Sequence, residues 1–518
     1  MEQGAALLAA GRNHEAIAAF LAAVHDDPSS LPARLGLARA HAAAGDLASA
    51  AAWLSDAMRV APAAPEPVQA LAEVLLAQGQ YAQADPLYLQ LVQGLVPRSA
   101  ANLLHAGFCR EQIGDIDSAA VLYRSALEME PALVEAHVDL SGVLWRLEDF
   151  DGALAHARRA VELAPQHPYA LRILGTSLLH LNQVPQAEQS LRRALELLPG
   201  FPLAELDLAF TLLLGGQLPE GWAWYEKRWR DPARLRRPAF YQAESEWPGP
   251  AVPLQGKSIA VYAEQGLGDV LQFLRYVPLL QALGARVGCV VQPELVPLVE
   301  ASFAGVECLV PGRQLNVHVH AALLDLPARL GTTLDTIPAQ VPYLQPPAAA
   351  RARWQARLSH WAAPLKVGLA WSGSMQQVNN RNRAVPLSLL EPLWRTPGVQ
   401  CFSLQKGEAG ANTDVRPARE ELPDLTGDWT DFGDSAAMIA QLDLVVTVDT
   451  AIAHLAGALG KPVWILLPPN PDWRWLLDRD DSPWYPTARL FRRAAGEDRS
   501  AQVARLLAAF EDWRSRLA

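Results

Sequence analysis

The chain has 518 residues, of which 50% are hydrophobic and 19% charged, and a formal net charge of −11. That length and apolar content predict roughly three domains with buried cores, and the acidic balance excludes the basic stripe that neutralises a phosphate backbone, so no nucleic-acid partner is expected. Cys109, Cys289, Cys308 and Cys401 stand apart in sequence with neither disulfide nor CxxC spacing, which predicts a reducing, cytoplasmic setting and no metal. The N-terminus lacks a basic n-region, and no run of about 20 uncharged apolar residues occurs, so neither a signal peptide nor a membrane span is expected.

Residues 1–200 are periodic. Prolines fall at Pro28, Pro62, Pro97, Pro131, Pro165 and Pro199, in steps of 34, 35, 34, 34 and 34 residues, the period of a two-helix solenoid repeat. Twelve residues before a proline stands Ala16, Ala50, Ala119, Ala153 or Ala187, and five before it Ala23, Ala57, Ala126, Ala160 or Ala194. Small residues there let helices approach closely, and each proline ends a second helix. Gly107 and Gly175 supply the matching contact on the first helix. The third unit departs from the pattern: it carries one extra residue, has Ala84 one place early and puts Val92 where alanine is expected. These residues resemble tetratricopeptide repeats over 1–200, about six of them, and that resemblance implies a concave face that binds a protein or peptide. The other reading is an array that only packs against the rest of the chain or assembles copies of it.

Residues 201–255 carry a further partial repeat, then GWAWYEKRWRDPARLRRPAF, then the proline-rich SEWPGPAVPLQG. Aromatics beside arginines suit stacking on bases. Trp222, Trp224, Tyr225 and Trp229 also suit one packing face of a helix that docks the solenoid on the next domain, and this is the reading favoured.

From Gly256 strands and helices alternate. KSIAVYA, ARVGCVVQ and GVECLVP read as strands of a first domain, 256–345; LKVGLAW, VQCFSLQ, LDLVVTV and KPVWILL read as strands of a second, 346–518, which ends in an amphipathic helix. The proline- and alanine-rich stretch from Ile337 to Trp354 reads as the hinge between them. Two parallel-sheet halves facing a cleft place ligands at the carboxyl ends of their strands, a GT-B-like pair of Rossmann-type domains following an α-helical solenoid.

Two stretches carry chemistry. YAEQGLGDVLQ offers GxGD and not GxGxxG, and Gln292 stands at the end of the second strand where a dinucleotide site needs an acid, so no nicotinamide or flavin is expected. Gly266 and Gly268 are read as shaping the turn. Asp269, at the helix start, where unpaired amides hold a carboxylate's pKa down, is either a helix cap or a general base facing the cleft. In the second domain, Ser372 and Gly373 with Arg381 and Arg383 combine backbone amides with cations, which a departing diphosphate requires; surface arginines are the other reading. Asp449, Thr450, Ala451 and His454 sit at a strand mouth and helix start, with Thr450 and His454 one turn apart, a natural phosphate and sugar-hydroxyl site. Trp473 and Trp475 could stack on a sugar or base, or close one domain on the other. Asp478, Arg479, Asp480 and Asp481 read as solvated charges.

GLGDVLQ and VDTAIAHLAGALGKPVW resemble the paired motifs of the ADP-heptose:lipopolysaccharide heptosyltransferase family of inverting GT-B glycosyltransferases, and their fusion to repeats, with DWRWLLDRDDSPWYP near the end, resembles bacterial repeat-linked glycosyltransferases. By position the resemblance implies Asp269 as general base. It puts Arg383 where the family has a phosphate-binding lysine, and Asp449, Thr450 and His454 in the donor motif, with Ala451 where glycine is common. The implied function is transfer of a sugar from a nucleotide-diphosphate donor, as co-substrate and without cofactor or metal, to a protein or glycan recruited by the repeats. A non-catalytic nucleotide-sugar-binding scaffold and a nucleotide-sugar epimerase are the alternatives.

Overall fold

The computed structural model describes residues 1–231, 234–310, 315–374, 379–407, 413–494 and 496–517. The chain divides into two compact units, Met1–Ser177 and Leu178–Ala518, with the division inside the helix Pro168–His180.

In the first unit each repeat is an antiparallel helix pair, such as Leu31–Ala43 with Leu47–Val60 and Ala100–Gln112 with Ile116–Met129. Ala16, Ala50, Ala119 and Ala153 are buried, as the spacing predicts. Gly36 and Gly107 show why side chains are excluded there: a Cβ would lie 2.4 Å from Phe20 and 2.6 Å from Tyr123. Asp46, Asp115 and Asp149 cap the second helices by accepting from backbone N–H groups at 3.0, 3.3 and 2.9 Å, each worth about 1 kcal/mol. The extra residue of the third unit is absorbed as a π-turn, Leu91–Leu95, closed by Gly94 at φ 126°.

The second unit starts with the last repeats. The partial repeat folds as a full pair, Pro202–Leu214 and Leu218–Tyr225, with the second helix cut to 8 residues. Trp222 is buried and meets Trp473, Phe273 and Trp484 edge-on at 5.1, 6.3 and 6.5 Å, so the aromatic junction is a docking face. Two wholly parallel sheets follow. The first holds β1 (Ser258–Tyr262), β2 (Arg286–Val290), β3 (Glu307–Cys308) and β4 (Val319–Ala322) in the order β3-β2-β1-β4. The second holds β5 (Leu365–Ala370), β6 (Val399–Ser403), β7 (Leu444–Val448), β8 (Val463–Leu467) and β9 (Ala488–Arg492) in the order β6-β5-β7-β8-β9.

The sequence pattern missed β4 and β9. In β4, His320 interrupts the apolar run, and its Nε2 lies 2.9 Å from Gln242 O. The edge strand β9 begins and ends near arginines, which dilute its signal. Both sheets change winding direction at their first strand, so the crevices lie at the carboxyl ends of β1 and β5 beside their neighbours. The segment read as a hinge is tied to both domains. Its Tyr343 hydroxyl donates to Leu271 O at 2.9 Å, and its Tyr343 N–H to Ala458 O at 3.0 Å. The final helix, Arg499–Ser515, buries Val503, Leu506 and Phe510 against the second sheet. Register places Cys289 beside Cys308, and both are free thiols. Among the described residues no helix is long and apolar enough to cross a membrane.

Candidate active site

β1 runs into the helix Leu267–Phe273, with Gly266 as its N-cap. Asp269 folds back so that one carboxylate oxygen accepts from Gly266 N–H at 3.0 Å, and the other is ion-paired with Arg474. The side chain is 21% exposed, open enough to meet a ligand. Sequence position alone predicts a depressed pKa for this carboxyl. The structure raises it, because burial outweighs the pull of Arg474 and nearby Asp472 adds to it. The two glycines also differ from expectation. Gly266 has φ −67° and ψ 163°, a conformation open to any residue. Gly268 is needed for packing: a Cβ there would lie 3.0 Å from the His454 ring and 3.5 Å from Ala451 Cα. It is where the helix after β1 meets the helix after β7.

Beneath this turn lies a buried ion cluster that the sequence reading missed. Arg228, from the junction, donates to Asp325 after β4 at 2.6 Å and to Glu264 after β1 at 2.5 Å, and all three side chains are nearly inaccessible. Burial pushes the Glu264 carboxyl up to about 7, against the attraction of Arg228. A second junction residue, Tyr225, accepts from Gln265 Nε2 at 2.7 Å. The signal was there: Arg228 lies among the aromatics that mark a packing face.

At the other mouth, β7 leads through Asp449 and Thr450 into the helix Ala451–Ala458. Thr450 caps it, its hydroxyl accepting from Ile452 N–H at 3.3 Å. His454 follows one turn on and is buried, 2.9 Å from the Tyr485 hydroxyl through Nδ1, with its ring stacked on Trp475 at 5.5 Å and 19°. Burial, then Arg474, Arg275 and Arg383, hold its pKa well below the usual range. The imidazole is therefore neutral, and its 3.9 Å approach to Asp449 is a polar contact without an ionic component. Burial and then Asp472 push the Asp449 carboxyl up to about 6, opposed by Arg383 and the Trp475 indole. That indole N–H faces the carboxylate without reaching hydrogen-bond geometry.

The loop after β5 corrects one expectation and narrows another. The Ser372 and Gly373 amides are not open to a phosphate: they donate to Gln405 Oε1 at 2.9 Å and to Asn380 Oδ1 at 2.8 Å. Gly373 instead leaves room for Arg383, whose Nη2 would lie 2.3 Å from an added Cβ. Arg383 reaches the second mouth, donating to Asp449 O at 2.9 Å, and its Nε has no partner among the described residues. Arg381 is exposed, and its backbone carbonyl accepts from Arg499 at 2.9 Å.

Trp473 and Trp475 are 4% and 0% exposed, so neither offers a free face to a substrate. Trp473 is committed to the aromatic cluster around Trp222, and Trp475 to His454. The charged residue between them, Arg474, is itself 7% exposed and fully engaged. Arg474 meets Asp269, Asp472 and Gln272, and its guanidinium lies over Trp473 at 4.3 Å. A charge set between two buried tryptophans was its sequence signal. Asp481 is 65% exposed and paired with Arg479 at 2.6 Å, in keeping with the solvated-charge reading.

The cleft thus joins Asp269 on one domain with Arg383, Asp449, Thr450, His454, Asp472 and Arg474 on the other. Comparison with known proteins falls in line with this division. Tetratricopeptide repeat models match residues 7–66, 110–168 and 138–202, and the model for glycosyltransferase family 9 (heptosyltransferase) matches 412–477, which includes Asp449, His454 and Arg474. The chain therefore combines tetratricopeptide repeats with a glycosyltransferase family 9 segment. Protein FlbA of Caulobacter vibrioides is 32% identical over 297 residues, 52% of this chain and 49% of that protein. The chain spans about half the length of this curated relative. Among solved structures, YrrB, a TPR protein with an unusual peptide-binding site, overlaps 36% of this chain and 95% of its own at 18% identity and TM-score 0.32. MamA from Desulfovibrio magneticus RS-1 overlaps 32% and 93% at 17% identity and TM-score 0.29.

Proposed function

We propose that the chain is a glycosyltransferase of GT-B type that moves a sugar from a nucleotide-diphosphate donor to a protein or glycan acceptor, with inversion at the anomeric carbon. The observation that carries this reading is the ion pair of Asp269 with Arg474, which lies in the segment that matches glycosyltransferase family 9, beside Asp449 of the same segment, whose carbonyl accepts from Arg383. Asp269 takes the proton of the acceptor hydroxyl as its oxygen attacks the anomeric carbon. The bond to the donor phosphate breaks, its electron pair goes to the diphosphate, and arginine charge stabilises that leaving group. Cationic charge from the protein stands where other transferases use a metal, so this reading contains no metal and no cofactor. Asp449 and Thr450 hold donor hydroxyls and phosphate at the helix start, and neutral His454 orients Asp449.

The repeats support a protein or peptide acceptor, held on their concave face. Incubating the full chain with a panel of nucleotide sugars and a lysate acceptor fraction, with nucleotide release and mass increase as readouts, tests the proposal. Release accompanied by glycosyl transfer supports it. Donor binding without transfer to any acceptor favours a scaffold, and an altered sugar without acceptor favours an epimerase.

A further inference from the structure

Arg474 is over-committed. Its Nε donates to Gln272 Oε1 at 2.5 Å, one terminal nitrogen to Asp472 at 2.9 Å and the other to Asp269. Gln272 and Asp269 belong to the helix after β1, whereas Asp472 and Arg474 follow β8, so this guanidinium bridges the two sheet domains across the cleft. Three buried N–H donors close to it lack acceptors among the described residues: Gln272 Nε2, Trp475 Nε1 and Arg383 Nε. Gln272 already spends its oxygen on Arg474, which leaves its amide nitrogen as a donor. Two guanidinium groups, Arg383 and Arg474, face three carboxylates, Asp269, Asp449 and Asp472. Arg383 bonds a backbone carbonyl whereas Arg474 is held by two carboxylates, so a diphosphate that engages both guanidinium groups must compete for Arg474.

We propose that Arg474 is a diphosphate-binding residue that Asp269 and the incoming phosphate compete for, so that binding of the diphosphate draws Arg474 from Asp269 and frees that carboxylate. The inference rests on reading the cleft as a nucleotide-diphosphate site. The exchange swaps one ion pair for another: no covalent bond changes and no proton moves. Guanidinium pairs with phosphate as a two-pronged donor at least as well as with carboxylate. The freed Asp269, without its cation, gains proton affinity, which suits a base that acts only once donor is in place. Donor binding before acceptor follows from this geometry.

The test is calorimetric titration of inorganic pyrophosphate into the full chain at low ionic strength, for the wild type, Asp269→Asn, Arg474→Gln and the double variant. Competition predicts that Asp269→Asn binds pyrophosphate about tenfold more tightly and that Arg474→Gln binds it about tenfold more weakly. It also predicts that Asp269→Asn brings no gain in the Arg474→Gln background. A general effect of removing negative charge would persist in that background, and that result overturns the inference. So does an Asp269→Asn affinity equal to or weaker than the wild type, or a wild type that does not bind pyrophosphate. If Arg474→Gln does not fold, Arg474→Met, which also removes the charge, replaces it in the cycle. Glycosyl transfer by the wild type is scored separately: transfer without the tightening sinks only this inference, and tightening without transfer sinks only the transferase reading.

Discussion

The carboxyl ends of β1 and β7 share a local design, a strand that breaks into a helix beside an aspartate, and they are supported in opposite ways. The β1 mouth is ionic. Arg228 holds Glu264 and Asp325 beneath the turn, and Arg474 holds Asp269 above it. The β7 mouth is aromatic: His454, stacked on Trp475 and bonded to the Tyr485 hydroxyl, approaches Asp449, and Arg383 bonds the Asp449 backbone carbonyl and not its carboxylate. Burial raises both carboxyls, and at Asp269 the Arg474 guanidinium in contact opposes that rise. At Asp449 burial and then Asp472 drive the rise, opposed by Arg383 and the Trp475 indole.

The largest expected effect separates the two mouths by chemistry. Asp269→Asn should lower the rate of transfer by about 10²–10⁴-fold with the thermal midpoint retained, measured as nucleotide release; normal turnover would remove Asp269 from the base role. Next, Arg228→Ala leaves Glu264 and Asp325 buried without a cation, and should cost about 3–5 kcal/mol in denaturant unfolding. A loss below 1 kcal/mol would mean that the ionic support of the β1 mouth is dispensable. Gly268→Val forces a branched side chain into the 3.0 Å gap against His454 and should cost about 1–3 kcal/mol, whereas Gly266→Ala, at an unrestricted conformation, should be near neutral.

The smallest effect depends on pH. Asp449 has a folded pKa of about 6 against 3.8 for the free side chain. Its protonation therefore favours folding fully below the unfolded value, and that contribution is lost as pH rises through about 6. Asp449→Asn, neutral throughout, should be more stable than the wild type above pH 7 by on the order of 3 kcal/mol, the gap closing toward pH 4. Thermal midpoints across pH 4–8 check this, and a gap that widens on acidification would reverse the assignment.

Much of this was legible along the chain because it is local. The proline and alanine register of the repeats, the extra residue that became the π-turn at Leu91–Leu95, and the strand-to-helix breaks at Asp269 and Asp449 all depend on residues within a few turns of one another. What escaped was long-range. Arg474 lies 205 positions from Asp269, and Arg228 lies 97 from Asp325. The open amides expected at Ser372 and Gly373 turned out to be taken by Gln405 and Asn380, and of the two readings of Trp473 and Trp475, stacking on substrate or domain closure, their burial fits closure.

The sequence by itself determined the helical repeats, the two parallel sheets and the strand ends that carry carboxylates, since backbone propensity, hydrophobic period and small-residue spacing act over short distances. Tertiary structure alone decided which charges meet. Burial raises the Asp269, Glu264 and Asp449 carboxyls together, and the choice of which guanidinium answers which carboxylate is set by how the domains close. Desolvation and Coulomb attraction act on distances in space, and those are fixed only once Gly268 lets one helix rest against His454 of the other.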